Sequence, residues 1–368
     1  MILKSLFLQN FRNYTRSEFT FNKDTNAVVA SNGAGKTNLL EAIFLLSTGR
    51  SFRAEKYDQM IKFGEQFSRV QALIGLKAND NEDIELQVVV NNTQGFTQKK
   101  FSINGVVKHR AGFAGKFTAV LFLPTDLDIV IGNPSARRRF LDDVLEQTDS
   151  KYSNALTTYT KALRQRNALL GQAQERGVRD AKAFSYWDNL LITHGQVIAS
   201  KREELLSFIN QRQKILFGFD LVYDKSEISA ERLAQYNVAE MGAGVTLVGP
   251  HRDDIKFSIF NFQFSNTERE VKPAFAESYG EAKQFASRGQ QRLIVLELKL
   301  AQIAYMEKRT GERPMLLLDD IFSELDKTYI RHILEILPEY QNIITTTHKE
   351  FVEGLPLRQG NVIELSKM

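Results

Sequence analysis

Ala30-Ser31-Asn32-Gly33-Ala34-Gly35-Lys36-Thr37 decides how the rest of this chain is read. It is the phosphate-loop pattern, glycine and four free positions followed by Gly-Lys-Thr, with alanine in the first place. Asn26 to Val29 before it reads as a strand. Behind it, Leu39, Leu40, Ile43, Phe44 and Leu46 recur at helical spacing over Asn38 to Ser47. Strand, glycine-rich loop and helix together aim backbone N–H groups and a helix N-terminus at an anion. Lys36 is set to reach the β- and γ-phosphates and Thr37 to ligate Mg²⁺, with Asn38 beside them in the first turn. Ala30 gives up glycine's freedom, which is harmless if its φ is negative. The loop predicts ATP and Mg²⁺ as cofactors.

Three further strings belong to the same chemistry. Met315-Leu316-Leu317-Leu318-Asp319-Asp320 is an apolar strand with two acids at its C-terminal end, where α/β sheets bind ligands. Asp319 is the expected Mg²⁺ ligand, and Asp320 the base that orients the attacking water. Ser287-Arg288-Gly289-Gln290 opens an apolar-striped helix. It reads either as a turn aimed at phosphate or as an ordinary serine N-cap. Thr345-Thr346-Thr347-His348 ends the next strand. His348 is read either as a hydrogen-bonding partner of the γ-phosphate or its water, or as a surface histidine. The order carries more than any one member: phosphate loop, serine turn, acid-ended strand, Ser323-Glu324-Leu325-Asp326, then the histidine. This is the order of ATP-binding-cassette ATPases.

Bulk properties agree and exclude other classes. The chain has 368 residues, 43% hydrophobic and 25% charged, with a net charge of +4 and no cysteine. That composition suits a globular protein with a substantial core. Disulfides, Cys-based zinc sites and thiol catalysis are excluded. The five histidines have no metal-ligand spacing. No apolar run approaches the ~20 residues of a membrane span, and the start lacks a leader pattern. A soluble, cytoplasmic protein with no membrane partner is expected.

The pattern predicts an α/β fold in which a helical insertion splits one ATPase core, and the family resemblance given below implies an ABC/SMC-type ATPase head with an inserted helical arm. Residues 1–135 supply the N-terminal part of the head, 136–240 the arm, and 241–368 the C-terminal part. Strands are expected at Ile2–Leu8, Glu18–Phe21, Ile84–Val90, Val245–Val248 and Ile255–Phe260. Asn104-Gly105 signals a hairpin. A polar turn is expected around Gly171 to Arg179.

The specific strings resemble the RecF family of SMC-like ATPases nearly end to end. They are Asn10-Phe11-Arg12-Asn13-Tyr14, Gly35 to Ala42, Gly49-Arg50-Ser51-Phe52-Arg53, Phe122 to Leu127, Arg137 to Asp142, Gly249-Pro250-His251-Arg252-Asp253-Asp254, and Leu317 to Asp320 with Ser323 to Asp326. Asp319-Asp320 agrees with that family where most ABC ATPases have Asp-Glu, and Ala30 departs from the usual glycine. The resemblance implies a weak ATPase that dimerises on ATP, with Arg12 and Asp326 joining the nucleotide site and Ser287 to Gln290 capping the nucleotide of the mate. It also implies loading on double-stranded DNA at single-strand/double-strand junctions. RecR and RecO are the implied partners, in RecA loading, gap repair, replication restart and SOS induction.

Basic residues gather in three places: Lys99, Lys100, Lys108, His109 and Arg110 with Lys116; Arg137 to Arg139; and Lys161, Arg164 and Arg166. Each is either a phosphate-contacting surface or a solvated face. Gly249 to Asp254 is either a structural polar network or a contact site. A transporter ATPase is disfavoured by the helical insertion. An ATPase-linked nuclease is disfavoured because little chain follows His348. The polar stretch 260–283 has no assigned role.

Overall fold

The strand that feeds the phosphate loop, β3 (Thr25–Val29), is buried at every position after its first. It lies inside a five-stranded sheet with β8 (Ala119–Phe122), β12 (Met315–Asp319), β13 (Asn342–Thr346) and β14 (Asn361–Glu364), in the order β14-β3-β13-β12-β8. Every pairing is parallel. β8 and β12 are buried at all positions, as strands covered on both faces must be. Two strands come from the N-terminal part of the chain and three from the C-terminal part, so one parallel sheet is built from both ends. The structure, a computed structural model, describes all residues except 76–82, 94, 179, 261–277, 322–326, 348–360 and 366–368.

After the loop comes α1 (Lys36–Thr48), buried at every residue but Thr37 and Asn38. A helix apolar around its whole circumference needs cover on all sides. Here β8, β12 and β13 of the parallel sheet and β1 (Ile2–Phe11), β4 (Phe67–Gly75) and β5 (Ile84–Thr93) of a second sheet provide it. Each fully buried Leu or Ile of α1 contributes roughly 1.5–3 kcal/mol. The second sheet is antiparallel and adds β2 (Tyr14–Thr20), β6 (Phe96–Ile103) and β7 (Val106–Lys108), in the order β2-β1-β4-β5-β6-β7. The predicted hairpin closes β6 on β7: Asn104 and Gly105 both have positive φ, 48° and 76°, the geometry of a type I′ turn.

The chain divides into two compact units. Both sheets just described belong to the first: Met1–Asp126, Glu146–Ser150 and Gln302–Met368. The second, Leu127–Leu145 and Lys151–Ala301, holds most of α2 (Pro134–Thr148) and α3 (Ser150–Arg176), all of α4 (Ala181–Gln211), and a sheet of β9 (Phe219–Asp224), β10 (Asp254–Phe260) and β11 (Ser278–Glu281). A further helix, α5 (Arg288–Thr310), starts in the second unit and ends in the first.

One expectation about the second unit is narrowed and one is corrected. The polar turn expected around Gly171 to Arg179 falls at Gly177, where φ is 68°, and Gly171 still lies inside α3. Gly171 is tolerated there because the helix runs on as a long amphipathic element. Val245–Val248 is no strand. Its backbone serves a polar core instead: Thr246 N–H and hydroxyl both donate to Asn167 Oδ1, at 2.9 and 2.7 Å.

That polar core also revises the basic clusters. Arg166 is fully buried and pairs with Asp188 (2.6 Å) and with Glu240 (2.7 Å), itself fully buried. Arg137 grips Asp254 through two bonds of 2.6 and 3.0 Å. Arg202 joins Asp253 and Asp142, each at 2.9 Å, and the Pro250 carbonyl at 2.7 Å. Gly249 to Asp254 is therefore a structural network, and Arg137 and Arg166 are core ion pairs rather than phosphate contacts. The exposed cations of the hairpin are Lys99, Lys100 and Lys108, with Lys116 nearby.

Candidate nucleotide site

Register places the two motif strands one strand apart. β3 pairs with β13, and β13 with β12, so Thr345 of β13 stands opposite both Val28 and Asp319. The loop after β3 and the acids ending β12 thus meet at the C-terminal edge of the parallel sheet.

The loop's shape follows from its glycines. Gly33 and Gly35 have φ of 81° and 106°, a region closed to most side chains. At Gly35 a Cβ would come within 2.8 Å of Asn13 and 2.9 Å of the Tyr14 hydroxyl, while at Gly33 it would meet nothing. Ala30 is absent from the four described non-glycine residues with positive φ, so its methyl costs nothing. Ala30 N–H is bonded to the Thr346 carbonyl (3.2 Å), tying the loop's start to β13.

Lys36 folds back into the loop. Its ammonium donates to the carbonyls of Ala30 (2.8 Å) and Ser31 (3.2 Å). Burial lowers its pKa, opposed by the charges of Asp320 and Asp319. Thr37 donates to both carboxylate oxygens of Asp319, at 2.9 and 3.1 Å. Thr345 holds the same carboxylate from the other side at 2.9 Å. Burial pushes the Asp319 carboxyl above its ordinary range, the two hydroxyls hold it down, and Asp320 pushes it up again. A desolvated carboxylate touching a hydroxyl, beside a loop built for phosphate, fits Mg²⁺, which takes one or two protein oxygens and leaves the rest to phosphate and water. Asp320 has φ of 48°, and its N–H donates to the Thr345 hydroxyl at 3.0 Å. That turn carries its side chain away from the strand's alternation.

Other predicted residues divide. Arg12, expected at the nucleotide, is bound in two places to Glu41 of α1 and by Nη1 to the Gln59 carbonyl (2.6 Å). Asn38 donates to Asn13 (2.8 Å) and accepts from Arg53 (3.0 Å). Ser31, Asn32 and Ala34 lie in the loop itself, where the Ala34 carbonyl accepts from Asn13 (3.3 Å). Ser287 and Gln290 form a reciprocal cap at the start of α5: Gln290 N–H donates to Ser287 Oγ (3.3 Å) and Ser287 N–H to Gln290 Oε1 (2.8 Å). The N-cap reading of this turn holds, and the turn from Ser287 through Arg288 and Gly289 to Gln290 is exposed. It lies in the second unit. His348 and Asp326 lie outside the described residues, as do Ser323, Glu324, Leu325 and residues 261–277 of the polar stretch.

Sequence reasoning gave no role at the site to Asn13, Tyr14, Glu41 or Thr345. Tyr14 donates to the Gly35 carbonyl (3.1 Å), and burial raises its pKa far above the ordinary tyrosine value. Asn13 and Tyr14 were visible only as family strings. Thr345 stood in the motif credited to His348.

A phosphate loop, an acid-ended strand one strand away and a parallel sheet built from both parts of the chain define the nucleotide-binding head of an ABC/SMC-type P-loop protein. The chain belongs to the RecF/RecN/SMC N-terminal domain family, whose profile matches residues 2–361, and within it to the RecF proteins. It is 36% identical to the DNA replication and repair protein RecF of Thermosynechococcus vestitus, over 95% of this chain and 91% of that one. With the RecF of Shouchella clausii it shares 34%, over 94% and 93%. A solved structure of the recombination mediator protein RecF with ATP, in the RecFOR pathway, superposes with a TM-score of 0.80 at 30% identity, covering 94% of this chain and 92% of that one. An Smc head domain of Pyrococcus furiosus shares the fold, with a TM-score of 0.52 at 17% identity, covering 100% of this chain and 94% of that one. Among the described residues no helix is long and apolar enough to cross a membrane.

Proposed function

We propose that this chain is an ATP-switched, DNA-binding recombination mediator with weak ATPase activity. Mg–ATP enters the phosphate loop, where the β- and γ-phosphates displace the Ala30 and Ser31 carbonyls from Lys36. Thr37 and Asp319 would hold Mg²⁺, which would supply charge neutralisation on the phosphates. Asp320 orients the water, and the role proposed for His348 is a hydrogen bond to the γ-phosphate or to that water. Two copies then close on shared nucleotides, the Ser287-Arg288-Gly289-Gln290 turn of one capping the triphosphate gripped by Lys36 of the other, with Arg12 and Asp326 in support. The head is 1–135 with 241–368, and 136–240 is the arm. The closed dimer holds double-stranded DNA near single-strand/double-strand junctions in the cytoplasm. Together with RecR and RecO it promotes RecA loading in gap repair, replication restart and SOS induction. Slow hydrolysis releases it.

The observation that carries this reading is the Lys36–Thr37–Asp319–Thr345 cluster, which joins the two motifs across β13. It is supported by the names of the relatives and by the RecF structures solved with ATP and its thio-analogue. The aspartate at 320 is one methylene shorter than glutamate and holds water less closely, which suits slow turnover. The test is particle size by light scattering without nucleotide, with ADP and with Mg–ATP. A monomer with ADP and a dimer with ATP are expected, and Lys36→Met should stay monomeric. A Lys36→Met protein that still dimerises on ATP and retains DNA would end the proposal.

A further inference from the structure

β13 is buried at every position, yet after Ile343 and Ile344 it ends on Thr345 and Thr346. A strand in the middle of a parallel sheet has no packing reason to carry hydroxyls, and a buried hydroxyl must find partners. Thr345 is fully buried and finds its partners at the end of β12. Its Oγ1 lies 2.9 Å from Asp319 Oδ1 and 3.3 Å from the Leu318 carbonyl, and accepts from the Asp320 N–H at 3.0 Å. A hydroxyl has a single proton to give. The carboxylate is the nearer acceptor and the charged one, so the proton goes to Asp319.

One side chain therefore holds both acids of the motif strand. For Asp319 the hold is on the carboxylate itself. For Asp320 it is on the backbone, which turns there into the left-handed region with φ of 48°. The N–H exposed by that turn meets two oxygens of Thr345, the carbonyl at 3.2 Å and the hydroxyl at 3.0 Å. Thr37 also donates to Asp319, but it is half-buried at the loop and is itself placed to ligate the metal. Thr345 reaches the same carboxylate from inside the sheet and has no duty towards the nucleotide. The next residue extends the arrangement: the Thr346 carbonyl accepts from Ala30 N–H (3.2 Å), so the end of β13 fixes the start of the phosphate loop as well.

We infer that Thr345 is a positioning residue of the ATPase, its hydroxyl aiming the Asp319 carboxylate and setting the turn from which Asp320 reaches the water. It acts only through those two acids. Groups that hydrogen-bond a metal-ligating carboxylate fix its orientation, and losing one typically lowers metal affinity or activity by about 10–100-fold. This rests on the ATPase reading and adds to it the residue that sets the geometry of both acids. Threonine supplies two things there: the hydroxyl, and a β-branched shape that the strand packs and that restricts χ1. Valine keeps the shape and loses the hydroxyl, whereas serine keeps the hydroxyl and loses the branch.

The test compares the full chain with its Thr345→Val and Thr345→Ser variants. Calorimetry reads ATP binding without divalent metal. Electron paramagnetic resonance reads Mn²⁺ binding in the presence of ATP, and hydrolysis is followed at saturating Mg²⁺. Thr345→Val should bind metal-free ATP as wild type does, because Lys36 and its loop are untouched. Its Mn²⁺ affinity and its kcat should each fall about ten-fold. Thr345→Ser should recover most of both losses. Wild-type Mn²⁺ affinity and kcat in Thr345→Val would overturn the inference. So would equal losses of metal-free ATP affinity and Mn²⁺ affinity in both variants, the mark of a residue that only packs. A wild-type chain that neither binds nor hydrolyses ATP would overturn the ATPase reading itself, and this inference with it.

Discussion

Arg12 and Glu41 form a two-point pair, with Nε 2.8 Å from Oε2 and Nη2 2.6 Å from Oε1. Glu41 has no solvent exposure, and Ser51 also donates to it. Arg12 itself is in the left-handed region, with φ of 54°, and its N–H is bonded to Met60 (2.9 Å). The pair clamps the turn between β1 and β2 onto the phosphate-loop helix.

Removing Arg12 should therefore act first on stability. Arg12→Ala leaves a buried carboxylate without its cation, at a cost of about 3–5 kcal/mol. Adding Glu41→Gln removes the stranded charge and should restore most of the melting temperature. If Arg12 also serves the nucleotide, the double variant will melt like wild type yet hydrolyse ATP more slowly. A double variant that recovers both would confine Arg12 to the clamp, and one that recovers neither would show that the pair is not what holds the turn.

The two loop glycines predict a graded response. Gly33→Ala meets no neighbouring atom and bears only the strain of a left-handed φ, about 1–2 kcal/mol. Gly35→Ala bears that strain and also drives a methyl to within 2.8 Å of Asn13 and 2.9 Å of Tyr14. It should break the Tyr14–Gly35 hydrogen bond and abolish ATP binding, whereas Gly33→Ala retains weakened binding. Calorimetric titration with ATP separates the two. Equal affinities would mean that the Asn13–Tyr14 wall does not shape the loop.

The strands β3, β12 and β13, the phosphate loop and the acids that end β12 were legible because each is a contiguous run of one chemistry, whereas β8 and β14, which complete the parallel sheet, were not read. The Asn104-Gly105 turn was legible for the same reason. What pairs with what was not. Arg137 and Arg166 read as surface charge because their partners, Asp254 and Glu240, lie far along the chain. Arg12 was placed at the nucleotide by family resemblance, and no local pattern reveals that Glu41, one helical turn after Thr37, takes its guanidinium. Thr345 was overshadowed by His348, since a threonine in a buried strand is usually read as packing. Only the register of β13 against β12 sets its hydroxyl on Asp319.

Arg166 tests the reading of the second unit's core as structural. It is fully buried with Asp188, Glu240 and Thr246 around it. Arg166→Met should cost about 3–5 kcal/mol, because Glu240 is left buried and charged. Pairing it with Glu240→Gln should recover part of this. Neither variant touches the phosphate loop, so ATP affinity at a temperature where the variant stays folded should match wild type. A surface role would give the reverse, with stability unchanged and a lost ligand.

His251 gives the same core a pH dependence. Its Nε2 faces the Thr246 carbonyl at 3.1 Å and must carry the proton, so Nδ1, 2.7 Å from the Tyr159 hydroxyl, accepts. Burial lowers its pKa to about 4, against the upward pull of the Thr246 carbonyl and with the charges of Arg252 and Arg138 lowering it further. In the unfolded chain the imidazole titrates near about 6.5. Between these values the unfolded chain takes up a proton that the folded one refuses. The folded state is therefore disfavoured progressively as pH falls from about 6.5 towards 4, and His251 contributes no slope above that window. His251→Gln loses the Tyr159 hydrogen bond, about 1–3 kcal/mol at pH 7.5, but lacks the proton uptake. Urea midpoints at pH 7.5 and pH 5 should show the gap between variant and wild type narrowing on acidification. Parallel losses in the two proteins would mean that the imidazole is not held neutral by this pocket.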